Sequence, residues 1–124
     1  MTLHAIVLAT AVLTWLMVMT ASMLRSRGDL ALAMGNRDAM PPASPLAERA
    51  DRAAKNMLEN LVLFGVVVLA AGDHNPGRAL LGAEIFLAAR ILYWPIYLAG
   101  IPVVRTLAYA VSMVGLVMIG TSLL

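Results

Sequence analysis

LHAIVLATAVLTWLMVMTASML, residues 3–24, contains no charged side chain in 22 positions. At about 1.5 Å of rise per residue, a helix of that length crosses the about 30 Å hydrocarbon core of a bilayer. The run is longer than the about 7–15 residues of a signal-peptide core, and no basic segment precedes it. It therefore reads as an uncleaved first span. The segment that follows, RSRGDLALAMGNRDAMPPAS (residues 25–44), holds three arginines, two glycines and two prolines and reads as a polar loop.

Ser44-Pro45 then gives a helix start, with serine at the cap and proline in the first turn. The second helix is expected over about 45–72. It is polar at first (LAERADRAAKN) and then apolar except for Glu59 and Asn60. GDHNPG, residues 72–77, is a tight turn. A third span covers about 78–98 and carries Glu84, Arg90, Tyr93, Trp94 and Tyr97. Gly100-Ile101-Pro102 breaks the chain again before a fourth span over about 103–124. Four spans account for a composition that a soluble core cannot hold. The 124 residues are 61% hydrophobic and 13% charged, against about 45–50% and about 25% in soluble domains. The fold class that follows is all-α: an integral-membrane four-helix bundle forming one domain, 1–124.

The absence of cysteine excludes disulfides, thiolate metal sites and cysteine nucleophiles. His4 and His74 sit at segment ends, so no metal site is expected. A net charge of +2 does not point to nucleic acid, because the nine basic residues form no cluster on an aromatic-rich polar surface. Their distribution reads instead as topology. Arg25, Arg27, Arg37, Arg49, Arg52, Lys55 and Arg105 lie at one end of the spans and only Arg78 at the other. That bias makes 25–44 a cytoplasmic loop and puts both termini outside the cytoplasm.

The charges inside the spans are arranged. At about 100° per residue, Glu48, Arg52, Asn56 and Glu59 fall within an arc of about 80°, and Arg90, Tyr93 and Tyr97 within about 60°. With Gly72 and Gly77 taken as matched ends of antiparallel helices, Glu59 and Arg90 are each 13 residues from the turn, Asn56 and Tyr93 each 16, and Arg52 and Tyr97 each 20. The spacing predicts a Glu59–Arg90 ion pair, Asn56 near Tyr93, and Arg52 near Tyr97. Arg105, Tyr109 and Ser112 form a similar stripe on the fourth helix. Such a pair can simply hold helices together, since an unpaired buried charge costs several kcal/mol. Arg49 and Lys55 can reach lipid phosphates along the surface. The two tryptophans and Met17, Met19 and Met23 read as ordinary packing, and Pro95 as a kink in the third span. The cations nonetheless outnumber the acids, and arginines with tyrosine hydroxyls at one depth suit a small anion bearing carboxylates.

The string Glu48-Arg49-x-x-Arg52-Ala53-x-x-Asn56-x-x-Glu59 resembles the signature of the MAPEG family, the membrane-associated proteins in eicosanoid and glutathione metabolism. Arg90-x-x-Tyr93-x-x-x-Tyr97, Pro102-x-x-Arg105 and Tyr109 extend the resemblance over essentially the whole chain. It implies a homotrimer of four-helix protomers with glutathione, as co-substrate, bound between subunits near the cytoplasmic side. By similarity, Arg52, Asn56, Glu59, Tyr93 and Tyr97 look like glutathione ligands, with Arg49 a further candidate. Arg90 looks like the buried partner of the glutamate. Arg105 looks like the catalytic residue that lowers the thiol pKa and steadies the thiolate, the nucleophilic form. Arg25, Arg27 and Arg37 are all open as additional contacts. Glu59 is followed by Asn60-Leu61-Val62-Leu63-Phe64, without the proline usual in eicosanoid-making members, which speaks against an eicosanoid substrate, and the short loops and compact length look more like the bacterial members.

The function expected from this resemblance is a glutathione transferase or peroxidase in a bacterial inner membrane. It would act on a hydrophobic small molecule, an electrophile or hydroperoxide, arriving through the lipid. The alternative is a non-catalytic membrane assembly or lipid-binding protein on the same scaffold. A small multidrug transporter fits the length, but it needs a carboxylate in the first helix, and residues 3–24 have none.

Overall fold

A computed structural model describes all 124 residues. Helix α1 runs Leu3–Arg25, α2 Leu30–Met34, α3 Pro45–Ala71, α4 Pro76–Ala99 and α5 Pro102–Gly120, and a single 3-10 turn, Thr121–Leu123, ends the chain. There are no strands. All but α2 are long and apolar enough to cross a membrane. The molecule is an all-helical integral membrane protein with four spans.

Side chains set the helix ends. Thr2 caps α1 by accepting from the Ala5 amide at 3.2 Å. Ser44 caps α3 through the Ala47 amide at 3.1 Å, with Pro45 in the first turn. Asn75 accepts from the Arg78 amide at 3.2 Å, so α4 starts at Pro76, two residues earlier than the pattern of apolar residues suggests. The short helix α2, inside the expected loop, exists because Asp29 caps it through Leu32; five residues leave no periodicity to read. The arginines at and after the end of α1 are engaged locally: Arg25 donates to the Pro41 carbonyl, Arg27 to the Pro42 carbonyl, and Arg37 to the Ala33 carbonyl and the Ser22 hydroxyl.

Two kinds of packing hold the bundle together. Ala47, Ala50, Ala53 and Ala54 of α3 are buried, and small side chains of this kind let helix backbones approach closely. Between α4 and α5 the approach is closer still. A Cβ placed on Gly82 would meet the Gly115 carbonyl at 2.7 Å, and one on Gly115 would meet the Gly82 carbonyl at 2.6 Å. Phe64 of α3 stacks on Phe86 of α4, with centroids 4.6 Å apart. The outside is apolar: Leu8, Trp15, Val62, Leu69, Val103 and Val117 are all exposed. In a membrane protein these faces contact lipid. Helix α4 continues through Pro95, which lies on its exposed face.

Candidate functional site

The largest fully buried side chain in the protein is an arginine. Arg90 has no solvent exposure, although a charged group in a membrane span is costly unless it is paired or hydrogen-bonded. Its surroundings are aromatic and neutral. The guanidinium carbon lies 4.4 Å from the ring centre of Tyr93, 5.9 Å from that of Tyr109 and 6.0 Å from that of Phe86. One Nη donates to Asn56 Oδ1 at 2.6 Å, and Nε lies 3.3 Å from Met57 Sδ. The other Nη is buried without a partner. Asn56 is itself fixed by Asn60, whose amide nitrogen donates to the Asn56 backbone and side-chain oxygens at 2.8 and 3.3 Å.

The expected Glu59–Arg90 ion pair is not formed within the chain. Glu59 is exposed, and the ion pairs present are Arg52–Glu48 at 3.8 Å and Lys55–Asp51 at 2.8 Å, both solvent-accessible. Two geometrical facts explain the difference. Measured from the actual helix ends, Asn56 lies 15 residues before Ala71 and Arg90 14 residues after Pro76, so these two share a level. Azimuth decides the rest. Phe64 marks the side of α3 that meets α4; at about 100° per residue, Asn56 is about 80° from it and Glu59 about 140°. The polar stripe of α3 thus points outward from the protomer, and only its edge residue, Asn56, reaches inside.

Along α4 and α5 two phenols stack between two cations. Arg90 covers Tyr93; Tyr93 and Tyr97 meet edge to face with centroids 5.4 Å apart; Arg105 lies 4.5 Å over Tyr97. Asn56, Tyr93, Arg105, Thr106 and Tyr109 line a cavity of about 180 Å³, open at one side. Sites that enclose a small molecule run about 300–1,000 Å³, so this cavity is smaller than such a site.

The structure brings Asn56, Tyr93 and Arg105 together at this cavity, with Tyr97 behind Arg105. It does not bring Arg49 there. Arg49 Nε donates to the Leu98 carbonyl at 2.9 Å and its side chain lies against Gly100, so it closes the C-terminal end of α4. Arg52 and Glu59 are exposed on the outward face, Arg52 pairs with Glu48, and the cation that stacks on Tyr97 is Arg105. Tyr109 and Thr106 join the lining. Tyr109 was visible in the stripe it shares with Arg105, whereas nothing marked Thr106. Asn60, which orients Asn56, reads in the sequence only as one polar residue in an apolar run.

Chemically, the cavity presents one guanidinium at its wall and a second behind Tyr93, with hydroxyl and amide groups and no carboxylate in its lining. Such a surface accepts an anion. The profile of the MAPEG family matches residues 2–124. The chain belongs to the MAPEG family. Neither a curated protein nor a solved structure shows a significant match to it. For this MAPEG protomer, the cavity is where Asn56 of α3, Tyr93 of α4 and Arg105 and Tyr109 of α5 converge.

Proposed function

We propose that this MAPEG protein is a glutathione-dependent transferase or peroxidase of a bacterial inner membrane, acting on a hydrophobic electrophile or hydroperoxide. One observation carries the reading: two guanidiniums with no carboxylate partner, Arg90 and Arg105, converge with Tyr93, Tyr97 and Tyr109 around an open cavity. In this reading glutathione supplies the missing anion. Its thiol lies at Arg105, where a cation favours the thiolate. Asn56 and Tyr93 hold the adjoining part of the peptide. The cavity is too small for the tripeptide, and Arg52 and Glu59 point away from the protomer interior. A homotrimer resolves both facts: the outward stripe of one subunit completes the site of its neighbour. In this reading the basic ends of the spans face the cytoplasm, the side that the charge bias favours, and so does the site.

The test is conjugation of glutathione to a chlorodinitrobenzene, and reduction of an organic hydroperoxide, by the purified full chain. Calorimetry of glutathione binding accompanies both. Binding with turnover that falls in Arg105→Ala supports the assignment. Absence of glutathione binding overturns the class. Binding without turnover of either probe favours the non-catalytic alternative on the same scaffold.

A further inference from the structure

A second cationic cleft lies at the end of α1, apart from the first. Met23, Leu24, Arg27, Gly28 and Ser44 line a cavity of about 490 Å³ between the end of α1 and the start of α3. Arg27 is held in an unusual backbone. Helix α1 closes with the Gly28 amide on the Met23 carbonyl at 2.9 Å and the Arg27 amide on the Leu24 carbonyl at 3.3 Å. This closure places its first residue beyond the cap in the left-handed region, where glycine is the usual choice. Helix α4 ends the same way, with the Ile101 amide on Ile96 and the Gly100 amide on Tyr97, and there the residue is glycine at φ +76°. In α1 the equivalent position is Arg27, at φ 55°. The backbone would be better served by glycine, so the side chain is what the position retains.

That side chain has donors to spare. Arg27 makes one hydrogen bond, from Nη2 to the Pro42 carbonyl at 3.0 Å, and has no acidic partner; Asp29 next to it is engaged in capping α2. Depth identifies what the remaining donors meet. The 23 residues of α1 cover about 35 Å, slightly more than the hydrocarbon core, which brings Arg27 to the phosphate level of the leaflet. Met23, one turn back and largely exposed, lies at the adjoining acyl level. Leu30 and Met34, four residues apart on α2, are both exposed beside this cleft's end of the molecule, as expected of a segment resting on lipid. The cleft is therefore apolar where acyl chains run and cationic where headgroups lie.

We infer that the cleft between the end of α1 and the start of α3 is a binding site for an anionic phospholipid, its phosphate on Arg27 and its first acyl carbons on Met23 and Leu24. An anionic headgroup is favoured over a zwitterionic one because no acid lines the cleft to meet a choline or ethanolamine. The inference is independent of glutathione chemistry.

The full chain in neutral detergent is titrated with short-chain phosphatidylglycerol, short-chain phosphatidylcholine or inorganic phosphate, and bound lipid is counted by native mass spectrometry. The variant is Arg27→Gly, which suits the left-handed backbone, so its melting midpoint without lipid should equal or exceed that of the wild type. Phosphatidylglycerol should bind the wild type about fivefold more tightly than the variant, the effect of one arginine at the membrane surface. Equal binding to both proteins overturns the site. So does phosphatidylcholine binding as tightly as phosphatidylglycerol. Displacement of the lipid by millimolar inorganic phosphate overturns the lipid assignment in favour of a soluble anion. A variant that melts lower than the wild type without lipid overturns the argument from the helix end.

Discussion

Arg90 donates to the side-chain oxygen of Asn56 at 2.6 Å, and no carboxylate of the chain shares the contact. The buried guanidinium is thus stabilised by an amide dipole and the faces of Tyr93, Tyr109 and Phe86. None of these cancels its charge. Arg105, stacked on Tyr97, adds a second positive centre a short way along the same ladder. Positive potential is therefore concentrated at the cavity before any ligand arrives, and the groups that create it are fixed in place by packing. This preorganisation is what a site for an anion requires.

The Asn56–Arg90 contact separates structural from ligand-binding roles. Asn56→Leu removes the acceptor and leaves the guanidinium buried with one hydrogen bond fewer. It should lower stability by about 1.5–3 kcal/mol, the scale of a hydrogen bond to a charged group. Glu59→Gln removes the charge of an exposed side chain that makes no ion pair within the protomer. It should leave the melting midpoint of the protomer nearly unchanged while weakening glutathione binding. Thermal unfolding in detergent alongside calorimetry checks both, and equal destabilisation by the two changes would contradict the geometry.

The levels of these residues were legible in the sequence, and their directions were not. Counting from the turn placed Asn56 and Tyr93 at one depth, and both line the cavity. The same count favoured Glu59 for Arg90 because it ran from Gly72 and Gly77, whereas α3 ends one residue earlier, at Ala71, and Asn75 starts α4 one residue earlier, at Pro76. Periodicity also showed that Glu48, Arg52, Asn56 and Glu59 share a face, but one helix does not say which neighbour its faces meet. The answer lay in a competing stripe. The small residues Ala50, Ala53 and Ala54 with Met57 and Phe64 took the interior and turned the charges outward. Loop arginines that bind backbone carbonyls, as Arg25 and Arg37 do, leave no sequence signal at all.

The α4–α5 crossing was equally hidden, since the glycines of each helix, Gly77 and Gly82 on α4 and Gly115 and Gly120 on α5, lie five residues apart and make no Gly-x-x-x-Gly motif. Its consequence is sharp. Gly82→Ala or Gly115→Ala puts a methyl group within 3 Å of a backbone carbonyl, so the helices must separate. Each should cost about 1–3 kcal/mol, as overpacked positions do. Gly65→Ala, in a helix with nothing within 4 Å of the added carbon, should instead be neutral or stabilise by up to about 1 kcal/mol. Melting of the three variants in one detergent gives the comparison.

Arg49 supports the end of a helix. Its bond to the Leu98 carbonyl satisfies one of the last acceptors of α4 and places a cation at the negative end of the helix dipole. Arg49→Ala should reduce stability by about 1 kcal/mol and leave the affinity for glutathione within about twofold of wild type. A tenfold loss of affinity at unchanged stability would place Arg49 in the site after all.

Arg105 and Tyr97 test the proposed action of the cavity on a bound thiol. Arg105 lines the cavity, whereas Tyr97 reaches it only by supporting the guanidinium 4.5 Å above its ring. If the guanidinium stabilises the thiolate, Arg105→Ala should lower kcat by about 10²–10³-fold, as loss of one preorganised donor does elsewhere. Arg105→Lys keeps the charge and should recover part of the rate. Tyr97→Phe keeps the ring and should change kcat little. Tyr97→Leu removes the platform and should lower kcat by about tenfold, the upper range of a cation–π contact, with a smaller effect on the KM for glutathione. The thiolate absorbance of bound glutathione near the ultraviolet edge gives a second readout: it should fall in Arg105→Ala and return in Arg105→Lys. Loss of turnover in Arg105→Ala with the thiolate signal intact would show that the residue orients the second substrate rather than the sulfur.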